Sequence, residues 1–313
     1  MQTPWGDFPV RDAHVHFFSP AFFASLAAQS GKPLDDLGRA LDWELPGSTH
    51  ELAARWKAEL DDHGVAQAAL IASIPGDEDS VSTAVVAFPG RFFGYFMANP
   101  ALPDGAARVR HALASGRMQG VCLFPAMHRY AVGDPRVRPV IEAAAAHPGT
   151  IVFVHCGVLT IGVRRKLGLA SLFDMRYSNP IDLHAVAAEF PQVNFVVPHF
   201  GAGYFREALM LCDLCPNVYL DTSSSNSWVR YQVEPLDLQA VFRRALAVAG
   251  PRRLLFGTDS SFFPRGWHTE MFDAQVHALS EMDISAEHAK LIFGGNLERL
   301  LSRTEATGLQ SCN

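Results

Sequence analysis

Four short stretches carry the side chains best suited to chemistry. "VRDAHVHF" places His14 and His16 two residues apart, "VFVHCG" leads into His155, "VVPHFG" into His199, and "LLFGTDSS" into Asp259. Alternate residues of an extended strand share a face, so His14 and His16 point the same way, about 6 to 7 Å apart along the chain. Alone, an H-x-H pair is a weak sign, because strands hold polar residues for many reasons. His155, His199 and Asp259 each stand at the carboxyl end of an apolar run, where a polar group buried without a partner costs roughly 1 to 3 kcal/mol. Such a cost borne at several strand ends points to a shared partner. Imidazole and carboxylate together suit a divalent cation such as zinc, provided one position stays open for water.

The elements that must position these groups are legible as eight apolar runs: 10–17, 66–73, 92–99, 120–125, 150–156, 194–200, 217–223 and 253–260. Most are continuous in hydrophobicity rather than alternating, as strands covered on both faces are. Segments with helical spacing lie between them, at 50–64, 106–116, 181–191 and 237–250, each ending near Gly or Pro. Eight strands alternating with helices in 313 residues predict an α/β fold, a TIM (β/α)₈ barrel forming one domain over 1–313. No G-x-G-x-x-G follows the first strand, which removes the usual mark of a dinucleotide-binding sheet. Residues 17–48 are too long for an ordinary connection and leave from the face where barrels do chemistry. They are either a lid over the site or a packed decoration. Residues 302–313 read as a C-terminal tail.

Composition narrows the partners. The formal net charge is -6 and no block of like charges occurs, so nucleic acid and anionic membrane surfaces are not expected partners. The N-terminus lacks a signal-peptide pattern, and no apolar run reaches the roughly 18 residues of a membrane span. A cytoplasmic location is therefore expected, with a small molecule as substrate and homo-oligomerisation left open. The five cysteines suit a reducing compartment. Cys212 and Cys215 form a C-x-x-C, but with no second pair downstream they read as ordinary helix-end cysteines.

Taken together, "DAHVH", "VHCG", "PHFG", "LDTS", "LFGTDS" and the closing "GGNLERLL" resemble the amidohydrolase superfamily of metal-dependent barrels. The likeness is to its amidohydrolase-related branch, which includes aminocarboxymuconate semialdehyde decarboxylase, and it covers almost the whole chain. It implies one divalent cation, foremost Zn²⁺, held by His14, His16, His155 and Asp259. It also implies His199 as a catalytic residue beside the activated water, with Asp259 taking that water's proton. Two-metal members usually bridge their ions with a carboxylated lysine from the fourth strand. Here Lys32, Lys57, Lys166 and Lys290 all fall outside the predicted strands, so a single ion is expected.

The remaining candidates surround that centre. Asp12 shares the parity of the two histidines and either steadies a ligand or caps a backbone group. Asp221, ending the seventh strand, is expected as a hydrogen-bonding support. Arg164 and Arg165 suit a carboxylate-bearing substrate but equally a solvated loop. His128 and His268 follow strand ends and are pocket candidates. The leading expectation is a hydrolase that uses a metal-activated water against a small lactone, amide or ester. The alternatives are a non-oxidative decarboxylase of an aromatic or muconate-like acid, and a non-catalytic metal-binding barrel.

Overall fold

A computed structural model describes residues 1–302 apart from 160, 172 and 225; most of the expected tail therefore lies outside the described residues. Eight parallel strands pair in chain order: β1 (Val10–Phe17), β2 (Val65–Ala72), β3 (Phe92–Ala98), β4 (Met118–Leu123), β5 (Ile151–Val154), β6 (Asn194–Val197), β7 (Val218–Asp221) and β8 (Leu254–Leu255). The eight expected strands are present, with the later ones shorter than the apolar runs suggested. β8 has only two residues, and the segment beyond it completes the closure onto β1. There Ala13 N donates to Phe256 O at 2.8 Å, His16 N to Ser260 O at 2.7 Å, and Asp259 N to His14 O at 3.0 Å. The result is the (β/α)₈ barrel.

Both faces of the strands are buried, which accounts for their continuous hydrophobicity. Residues facing the helices join Trp56, Val140, Phe205 and Phe242 in the outer core. Alternate residues, among them Ile71, Tyr95, Met97, Phe153 and Val196, form the inner core together with Leu297, Leu300 and Leu301 of the helix Asn296–Leu301. Gly120 in β4 makes room there: a Cβ on it would lie 2.3 Å from the Tyr95 ring.

The 17–48 interval is more regular than a loop. It contains helices α1 (Pro20–Ser30) and α2 (Leu34–Leu41). Ser19 caps α1 by accepting the Phe22 N–H, Pro20 occupies its first turn, and Gly31 ends it at φ 66°. Phe23, Leu26, Leu37 and Leu41 form a small core of their own with Val163. Helix α3 (Thr49–Asp62) follows, capped by Ser48, and returns the chain to β2. Cys212 and Cys215 lie at the end of the helix Phe205–Leu214, buried and unbridged. No described helix is long and apolar enough to cross a membrane.

Candidate metal centre and active-site cavity

His14 and His16 project from β1, and Asp259 follows β8 across the closing seam. Their facing atoms are close: His14 Nε2 to His16 Nε2 is 3.4 Å, His16 Nε2 to Asp259 Oδ1 is 3.3 Å, and His14 Nε2 to Asp259 Oδ1 is 3.6 Å. Donors about 2.1 Å from one tetrahedral ion lie about 3.4 Å apart, so this trio has the edge lengths of a face of such a site. The outer nitrogens are already engaged. His14 Nδ1 meets Asp221 Oδ2 at 2.7 Å and His16 Nδ1 meets Ser73 Oγ at 2.8 Å, which turns both Nε2 atoms inward. Donor types, spacing and outer hydrogen bonds all fit a divalent cation.

His155 and His199 stand beside this trio. The His155 ring stacks on Phe124 with centroids 5.4 Å apart and meets the His199 ring edge-on, also at 5.4 Å. Its nitrogens fall outside the close donor set, which among the described residues holds three of the four expected ligands. His199 Nδ1 is 2.9 Å from Ser223 Oγ, which is also 2.9 Å from His14 Nδ1. That leaves His199 Nε2 without a hydrogen-bond partner among the described residues. A second close set, His14, His199 and Asp221, is this same hydrogen-bonded network seen from behind. Ser73 and Ser223 were not singled out from the sequence, since nothing local marks a serine that reaches an imidazole on another strand.

Charge follows from this packing. Burial opposes the ionised form of Asp259, but the His16 hydrogen bond and the neighbouring His14 charge outweigh it, so the carboxylate is held well below its usual range. Burial pushes His155 and His199 down, favouring neutral rings. His199 and Asp259 also adopt left-handed backbone, φ 55° and 59°, a conformation that non-glycine residues hold only when their surroundings enforce it.

The other expected positions divide. Asp12 is fully buried, and among the described residues none of its hydrogen bonds reaches an imidazole ring. Its carboxylate accepts the His14 N–H at 2.9 Å, the Thr258 N–H at 3.1 Å, the Thr258 hydroxyl at 2.5 Å and the Trp267 indole N–H at 2.8 Å. A register shift between Asp12 and Val15 breaks the simple alternation that put Asp12 on the face of the histidines. It therefore braces the backbone of the seam. Arg164 and Arg165 line the cavity; His128 and His268 are not among its lining residues. His128 is turned into protein, where burial lowers its pKa to about 4 and its Nδ1 has no hydrogen-bond partner among the described residues. His268 precedes the helix Thr269–Ser280 and donates its N–H to Ser260 Oγ at 2.9 Å.

The cavity above the trio has a volume of about 670 Å³. One wall is a run of stacked rings, with centroids 4.1 Å apart for Phe22 and Phe18, 5.7 Å for Phe18 and Trp43, and 4.2 Å for Trp43 and Phe262. Three of those rings come from the 17–48 insertion and the fourth from the segment after β8. Among the described residues lining the cavity, Asp259 is the one acidic side chain, against Arg164, Arg165 and Lys166.

Such a barrel, with imidazoles and an aspartate gathered at the carboxyl ends of its strands, defines a class of metal-dependent enzymes. The amidohydrolase profile matches residues 12–303, and the chain belongs to that family. Its members are metal-dependent. The structure resembles 5-carboxyvanillate decarboxylase from Sphingomonas paucimobilis, with a TM-score of 0.65 and 18% identity over 95% of this chain and 100% of that one. It also resembles a probable 2-pyrone-4,6-dicarboxylic acid hydrolase from Acinetobacter baumannii, with a TM-score of 0.61 and 15% identity over 94% and 99% of the two chains. At these identities the likeness is one of fold. Protein fluG of Emericella nidulans is 37% identical over 87 residues, 28% of this chain and 10% of that protein, so the chain spans a small part of it.

Proposed function

We propose that the chain is a hydrolase with one divalent cation, zinc foremost, acting on a lactone, amide or ester that carries an anionic group. The observation that carries this reading is the His14–His16–Asp259 trio, whose separations of 3.3 to 3.6 Å match one ion and which opens onto the cavity. The ion would polarise a carbonyl and lower the pKa of a water to near 7. The chain's own groups do the rest. His155, expected as a fourth donor, lies one ring away from the trio and lines the same cavity. Asp259 turns Oδ1 towards the two Nε2 atoms, and its carboxylate can take a proton from attacking water. His199, fixed through Nδ1 by Ser223, turns Nε2 to the cavity, where it can orient the carbonyl oxygen or hand a proton to the leaving group. Arg164 and Arg165 supply positive charge for a substrate carboxylate.

Decarboxylation is the second reading, favoured by the cavity's apolar lining. A carboxylate transferred there loses hydration that neutral carbon dioxide does not need. The metal-loaded protein would be tested against a panel of lactones, N-acyl amides and aryl carboxylates, with acid release and carbon dioxide followed together. Acid release without carbon dioxide is expected. Stoichiometric carbon dioxide would replace the hydrolase with a carboxy-lyase, and no turnover of any panel member would favour the non-catalytic barrel.

A further inference from the structure

A second cavity of about 340 Å³ adjoins the first, and the two share Leu159, Ile161 and Arg165. Beyond the shared residues its walls include Leu169 and Phe173, so the surface on that side is mainly apolar. The cations near the junction are not equivalent. Arg164 Nη1 donates to Gln29 Oε1 at 2.6 Å and its Nε to the Ala170 carbonyl at 2.8 Å. Lys166 Nζ donates to the Leu41 carbonyl at 3.3 Å and lies 5.9 Å from the centre of the Trp43 ring. Arg165 is exposed and its guanidinium has no hydrogen bond or ion pair among the described residues, yet it borders both cavities.

Size bears on what could fill this space. A cavity of about 150 Å³ holds one benzene ring, and the main cavity alone is about 670 Å³. A single-ring acid would leave most of it to water. A guanidinium with free donors at the entrance to an apolar recess offers one end for an anion and the other for hydrocarbon.

We infer that the recess bounded by Leu159, Ile161, Leu169 and Phe173 is a tail subsite, and that the substrate is an amphipathic acid. Its anionic group rests on Arg165, its apolar tail enters the recess, and its reacting carbonyl reaches back to the trio. This deepens the proposed function and rests on the reaction taking place at His14, His16 and Asp259, but the subsite can be tested by binding alone.

Butyrate, hexanoate, octanoate and decanoate are suitable probes, titrated calorimetrically into the metal-loaded protein. Affinity is expected to rise roughly three- to fourfold per methylene between hexanoate and decanoate. Arg165→Gln should weaken every member by a similar factor of about ten, as loss of a charge-assisted contact does. Leu169→Trp, which fills the recess, should erase the length dependence while leaving butyrate unchanged, and Phe173→Ala should reduce it. His16→Ala removes the reacting pole and should leave the series intact, so a failure of the hydrolase reading would not disturb this result. A flat series, a length dependence that survives Leu169→Trp in protein with an unchanged melting temperature, or loss of all binding in His16→Ala would overturn the subsite.

Discussion

His14 Nδ1 lies 2.7 Å from Asp221 Oδ2, and this contact between the first and seventh strands is sealed from solvent. An imidazole held in this way is locked with its other nitrogen facing inward, and its basicity is raised. Asp221→Ala should therefore weaken metal binding by about 10- to 100-fold without touching the donor set. Competition with a chelator of known affinity measures this, and an unchanged metal affinity would remove Asp221 from the centre.

His199 and Asp259 should separate retention from turnover. With Nε2 free of hydrogen bonds to the described residues and Nδ1 on Ser223, His199 can leave without disturbing the trio. His199→Ala is expected to keep its ion and lose turnover by about 10²- to 10⁴-fold. Asp259→Ala should lose both. Metal content by elemental analysis beside turnover of the best panel substrate distinguishes them, and metal loss from His199→Ala would make His199 a ligand.

Asp12 carries a structural prediction. Replacing it with Ala would strip acceptors from two backbone N–H groups, a threonine hydroxyl and an indole, all around one buried point. Donors left unsatisfied in a dry interior cost about 1 to 3 kcal/mol each before relaxation. Asp12→Ala should destabilise the fold by about 3 kcal/mol or more, read as a lower urea midpoint. A midpoint within error of the parent would show that the seam does not depend on it.

His128 predicts a pH dependence. Burial lowers its pKa from 6.5 to about 4, so the fold favours the neutral ring. The stability this contributes is fully present above pH 6.5 and is lost as pH falls towards 4, amounting to about 2 to 3 kcal/mol by pH 4.5. His128→Gln abolishes that titration. Urea unfolding at pH 7.5 and 4.5 should show a smaller acid loss for the variant, and equal losses in the two proteins would refute it.

The chain displays its strands more openly than its site. Runs such as "TIVFVHC" announce both a buried strand and the polar residue at its end, because burial on two faces leaves an unbroken apolar string. The 17–48 insertion also held local signals: Ser19 before Pro20, Gly31 after Ser30, and leucines at 34, 37, 41. Their meaning was masked by an aromatic composition that serves the cavity as well as the insertion's own core. Ser73 and Ser223 were invisible, since each matters only through a histidine far away in the chain. Strand parity misplaced Asp12 because a bulge lies between it and Val15, and strand-end position alone could not tell His155, in the cavity, from His128, beside it.

The seam where β1 meets the segment after β8 has a consequence for how the molecule comes into being. Two of the three donors are made early and the third only after some 240 further residues, so the ion's cradle exists in no partial chain. A growing polypeptide has to extend past residue 259 before it can hold the ion there. An ion bound there would fasten the two ends of the circle to each other, so that metal uptake would report whether the ring has shut.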